Sequence, residues 1–185
     1  MIAVYIIIGV VVVLLIIFIM TYNGLVRRRN QVKNAWAQID VQLKRRYDLI
    51  PNLVETVKGY AKHERETLEA VTNARNLAQQ VASAGAGARA KAEGELSSAL
   101  SRLLAVVENY PDLKANQNFL NLQDELTHTE DKIAYARQHY NDSILTFNNT
   151  IETFPGVIFA RRMGKKEREM LQIPEATREV PKVSF

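Results

Sequence analysis

Hydrophobic positions along this chain change their rhythm twice. Met1 to Met20 is uninterrupted apolar sequence apart from Tyr5 and Gly9, and no charge appears before Arg27. As a helix rising ~1.5 Å per residue, a segment of that length crosses the ~30 Å hydrocarbon core of a bilayer. A cleaved signal peptide would want a basic start, a shorter apolar stretch and a small-residue cleavage site, and the sequence has none of these. From Leu25 onward the apolar residues recur at alternating three- and four-residue steps: Leu25, Val32, Trp36, Ile39, Leu43, Tyr47, Ile50, then Val54, Val57, Ala61, Leu68, Val71, Ala74, Ala78 and Val81. Such a stripe faces a bundle core or a coiled-coil partner, and it places Trp36 and Tyr47 in the core.

Small residues break the stripe at Ala84–Ala90, which reads as a flexible turn. A second helical pattern follows through Leu96, Leu100, Leu103, Val107 and Tyr110 and stops at Pro111. The third runs through Phe119, Leu122, Leu126, Ile133, Ala136, Tyr140, Ile144, Phe147, Ile151 and Phe154, with Thr129 as its one polar member. Asp112 is its candidate N-cap, and Pro155-Gly156 ends it. The pattern thus predicts an all-α protein in three segments. Residues 1–26 form a transmembrane anchor, 27–155 a helical bundle, and 156–185 an apolar-basic segment with an extended tail.

Pro51 leaves the topology open. Inside a continuous helix it removes one backbone bond and kinks the chain, giving three long helices. Alternatively Asp48, or Asn52 with Glu55, caps a new helix and the chain reverses, giving four. With reversal, the segment after Pro155 returns to the anchor; with a kink, it is stranded at the far end.

Charge adds orientation. Arg27, Arg28, Arg29 and Lys33 follow the span at once, and almost nothing precedes it. By the positive-inside rule the N-terminus faces out and the bundle lies in the cytoplasm, with the basic cluster against anionic headgroups. The whole chain carries a net charge of +4 and no cysteine, so disulfides, thiolate nucleophiles and thiolate metal sites are excluded.

Particular residue blocks resemble the LemA family of bacterial membrane proteins: Tyr22-Asn23, Leu25-Val26, Arg29-Asn30, Ala35-Trp36 and the block through Val54. So do Asn118-Phe119, Gln123 to Leu126, Ala134 to Arg137, Tyr140-Asn141 and Val180-Pro181. The resemblance covers nearly the whole chain. It implies a single pass through the bacterial inner membrane, an outside N-terminus and a cytoplasmic up-and-down four-helix bundle, and so favours reversal at Pro51. It carries no established reaction and no catalytic residues. Membrane peptidases are a weakly suggested partner class.

Candidate chemistry is sparse. Glu125 and His128 form one Glu-x-x-His pair, whereas a ferritin-like di-metal bundle needs two and further glutamates. Here Glu125, His128 and Asp131 read as a solvated face, and so does His63-Glu64. No nucleophile elbow, phosphate loop or HExxH is present. The sequons at Asn141 and Asn148 lie on a predicted cytoplasmic helix and are set aside. No enzyme, cofactor or metal is therefore expected, and without aromatic interleaving or a recognition helix no nucleic acid either.

Two features remain. Asp40, Lys44, Arg45, Arg46 and Asp48 form a candidate partner-docking surface, with Asp40–Lys44 as an intrahelical ion pair in the plainer reading. Arg27, Arg28, Arg29, Val157, Ile158, Phe159, Arg161, Arg162, Lys165 and Lys166 form a candidate membrane interface. The expected function is a self-associating scaffold or adaptor at the cytoplasmic membrane face. A lipid-binding or membrane-shaping protein is the alternative, and a carboxylate-histidine metalloenzyme the remote one.

Overall fold

A computed structural model describes residues 1–61, 63–162, 170 and 171, with Ala86, Arg161 and Arg162 described in their backbone alone. Its helices are α1 (Ile2–Tyr60), α2 (Arg65–Gln80), α3 (Ala86–Val107), α4 (Pro111–Lys114), α5 (Gln117–Glu152) and α6 (Gly156–Arg162). There is no strand among the described residues. The expected extended tail lies outside them.

Helix α1 runs through Pro51 without interruption, which corrects the reversal expected there. The physical reason lies in α2. Pro51 has no N–H to give the carbonyl of Tyr47 four residues earlier. Arg75 Nε donates to that carbonyl instead, at 2.8 Å, so the orphaned acceptor is satisfied and the helix continues. Helix α1 gives way to α2 after Tyr60: Ala61 N still bonds to Val57 O, and Glu64 N bonds to Ala61 O. Glu64 makes no capping bond to α2, because its carboxylate accepts from Tyr110 Oη at 3.0 Å.

Two further boundaries differ from the sequence pattern. Helix α3 begins at Ala86, inside the stretch read as a turn; the alanines of 86–92 favour helix strongly enough to carry Gly87 along. Asp112 sits in the single-turn α4, which opens on Pro111. The cap of α5 is Asn116, whose Oδ1 accepts from the backbone N–H groups of Asn118 and Phe119.

The chain separates into two compact units. One combines Met1–Ile39 with the later half of α5 and α6. Its buried side chains include Leu25, Val32, Ala35 and Ile39 from α1, Tyr140, Ile144, Phe147 and Ile151 from α5, and Ala160 from α6. Trp36 is half-buried, because the buried register passes to Ala35, and its ring lies 5.0 Å from that of Tyr140. The apolar run of α1 is exposed throughout. It is long and apolar enough to cross a membrane.

The other unit is built from Asp40–Tyr135. Its core holds Leu43, Tyr47, Ile50, Leu53, Val57, Leu68, Val71, Leu96, Leu100, Leu103, Phe119, Leu126 and Ile133. Within it α2 packs against α3, with Ala70, Ala74, Ala90 and Gly94 lining the groove beside them. Thr129, the polar member of the α5 stripe, is buried and bonds back to the carbonyl of Glu125 at 2.7 Å.

Candidate functional site

The five residues of the candidate docking surface occupy two turns of α1, and helical geometry divides them. Positions 43, 46, 47 and 50 share the inward face, so Arg46 enters the core between Leu43 and Ile50. Its side chain is 0% exposed. A buried guanidinium is tolerated only when its charge and its donors are met. Here the two terminal nitrogens make hydrogen bonds, Nη1 to Glu93 Oε2 at 3.2 Å and Nη2 to Ser97 Oγ at 2.8 Å, while Nε lies 2.8 Å from Glu130 Oε1 in an ion-pair contact without hydrogen-bond alignment. Glu93 is itself 2% exposed and accepts a second bond from the hydroxyl of Tyr47. Burial, reinforced by that carboxylate, pushes the Tyr47 phenol well above its ordinary pKa.

The remaining four positions face outward or sideways. Asp40 pairs with the buried Arg89 at 2.5 Å, so the intrahelical Asp40–Lys44 pair is replaced by one to α3. Arg45 pairs with Glu125 of α5 across an exposed face. Lys44 and Asp48 are exposed. Three of the five charges are thus engaged by α3 and α5, and Arg46 lies in the interior, away from any docking surface.

This layer ties α1 to two helices at once. Contacts from 40 to 89, from 46 to 93 and from 46 to 97 run α3 parallel to α1. Those from 45 to 125 and from 60 to 116 run α5 antiparallel to it. Sequence reading missed Arg75, Arg89, Glu93, Ser97 and Glu130. For two of them a signal existed: the stripe of Leu96, Leu100 and Leu103, continued backward by threes and fours, lands on Glu93 and Arg89. Reading residues 84–90 as a turn ended that stripe too early.

The second candidate site is local to the first unit. Arg27 and Arg28 are exposed, Arg29 is half-buried, and Arg28 Nη1 donates to Gln31 Oε1 at 3.3 Å. Phe159 packs edge-on against Phe18 of the apolar run, with ring centroids 5.1 Å apart. The segment after Pro155 therefore sits beside the anchor even though α1 does not reverse at Pro51. Val157 is half-buried and Ile158 exposed. The side chains of Arg161 and Arg162 are not described, and Lys165 and Lys166 lie outside the described residues.

Glu125, the carboxylate of the Glu-x-x-His pair, is taken by Arg45, and His128 is exposed. Among the described residues no three His, Asp or Glu side chains come together as metal ligands would.

Comparison with known proteins bears on most of the chain. A sequence profile described as the LemA family matches residues 35–185. Protein LemA of Metamycoplasma hominis is 28% identical over 156 residues, covering 84% of this chain and 71% of that protein. Magnetosome protein MamQ 2 of Paramagnetospirillum magneticum is 27% identical over 178 residues, covering 83% of this chain and 65% of the relative. Magnetosome protein MamQ of Magnetospirillum gryphiswaldense is 27% identical over 175 residues, covering 82% and 64%. The chain thus spans a little under two thirds of the length of the MamQ relatives.

Proposed function

The chain belongs to the LemA family, and from that premise we propose that it is a membrane-anchored, non-catalytic protein that acts by binding. In this reading it is a self-associating scaffold or adaptor at the cytoplasmic face of the bacterial inner membrane. The observation that carries the proposal is the exposed apolar run at the start of α1. An exposed apolar helix of this length is unstable in water and stable in a bilayer. Arg27, Arg28 and Arg29 at its C-terminal end support a cytoplasmic position for that end, by the positive-inside rule.

We read residues 27–155 as an up-and-down four-helix bundle of α1, α2, α3 and α5, in which the turn at 61–64 takes the part expected of Pro51. A scaffold needs a rigid body more than a reactive one. The charged layer supports this, because the buried Arg46, Glu93 and Arg89 are paired with one another or with the half-exposed Glu130 and Asp40. The relatives named as magnetosome proteins support a membrane-associated role. Self-association is tested by light scattering of the full chain in mild detergent together with crosslinking in native membranes. A discrete oligomer in both is the expected result. A monodisperse monomer without crosslinks would overturn it.

A further inference from the structure

Helix α6 is held against the protein on one side and left bare on the other. Gly156 and Ala160, four residues apart, are buried. Phe154, just before α6, and Ile158 within it are 80% and 55% exposed. The buried side is fixed by close contact: a Cβ at Gly156 would collide with the carbonyl oxygen of Thr150 in the last turns of α5. Only glycine allows α6 to fold back this tightly. Phe159, between the two sides, rests on Phe18, so the bare side is presented next to the apolar run of α1.

From this placement we propose that α6 is a second membrane contact: Phe154 and Ile158 insert into the interfacial layer of the bilayer that α1 spans. The occupant is lipid, for three reasons. First, the patch is continuous, through the Phe18–Phe159 contact, with a helix surface that is itself apolar and uncovered. Second, the same end of that surface carries the exposed cations Arg27 and Arg28, and Arg161 and Arg162 follow Ile158 within α6. Apolar side chains bounded by basic ones are the composition of a segment lying at headgroup depth. Third, the docked helix is already ordered, so insertion does not first have to fold it. The contact would fix the rotation of α1 about its axis, because a helix held at one point can spin and one held at two cannot.

This inference rests on the reading of residues 1–20 as a span, and the experiment separates the two. The chain has no cysteine, so single cysteines take an environment-sensitive fluorophore cleanly. Full-length Val12→Cys, Phe154→Cys, Ile158→Cys and Asn73→Cys are labelled and reconstituted into phospholipid vesicles carrying a quencher either near the headgroup or near the acyl-chain centre. All four positions are exposed, so the substitutions leave the packing intact. Probes at 154 and 158 should be blue-shifted and lose emission to the shallow quencher, the probe at 12 should lose it to a membrane quencher, and the probe at 73 to neither. Water-like emission at both 154 and 158, with the probe at 12 quenched, overturns the α6 contact and leaves the anchor standing. Blue-shifted emission at 158 that no lipid quencher reduces means a protein covers the patch, and also overturns it. An unquenched probe at 12 removes the span, and this inference with it.

Discussion

Replacing Arg75 by methionine should destabilise the protein only while Pro51 is present. The Tyr47 carbonyl has lost its helical donor to the proline and takes its bond from Arg75 Nε at 2.8 Å. A hydrogen bond from a charged donor contributes about 1.5–3 kcal/mol. Arg75 is half-buried rather than enclosed, so the screened value is about 1–2 kcal/mol. Pro51→Ala works from the other side. It restores the amide that bonds to Tyr47 and removes a helix-interior proline costing about 3 kcal/mol, less about 0.4–1 kcal/mol for the freer unfolded chain. A net gain near 2 kcal/mol is expected. In that background Arg75→Met should cost well under 1 kcal/mol, so the double-mutant cycle gives a coupling of about 1 kcal/mol. The assay is denaturant unfolding of the full chain in detergent, followed by helical circular dichroism for the four proteins of the cycle. If Arg75→Met costs the same in both backgrounds to within about 0.5 kcal/mol, the carbonyl-rescue argument is wrong.

Adjacent residues should behave oppositely at the buried charge layer. Arg46→Met strands Glu93 in the interior and should cost about 3–5 kcal/mol, whereas Arg45→Met breaks an exposed pair and should cost under about 1 kcal/mol; the same unfolding assay compares them. The Tyr47 phenol is held above its ordinary value of 10.0 by burial and by Glu93. The folded protein therefore keeps a proton that the unfolded chain releases, and this stabilisation is complete below about pH 10 and lost as pH rises above it. Stability measured between about pH 9 and 11 should fall, and Tyr47→Phe should flatten that fall. Gly156→Ala should force α6 away from Thr150 at a cost of about 1–3 kcal/mol, and should make the fluorescence of a probe at position 158 water-like.

The parts of this fold readable from sequence are those set by local periodicity. The apolar run of residues 1–20, the stripe through Leu43 and Ile50, and the α5 stripe from Phe119 to Ile151 are each recorded in consecutive turns of one helix. What the sequence hides is supplied from a distance. The donor that keeps α1 helical at Pro51 comes from a residue 28 positions away, and two of the partners that allow Arg46 inside come from 47 and 51 positions away. A search for apolar stripes also discards charged residues on the inward face, so it leaves Arg46 on the surface and passes over Glu93 and Arg89. At the second site, the sequence identified the apolar-basic segment after Pro155. Its contact with Phe18 became visible only with the path of the chain between them.

Membrane topology tests the central claim most directly, since a cytoplasmic scaffold requires the two ends of the apolar run to lie on opposite sides of the membrane. Ile2→Cys and Asn73→Cys are probed in intact cells with a membrane-impermeant thiol reagent, before and after lysis. The account predicts labelling at position 2 in intact cells, and at position 73 only once the membrane is broken. Labelling of position 73 in intact cells would contradict it.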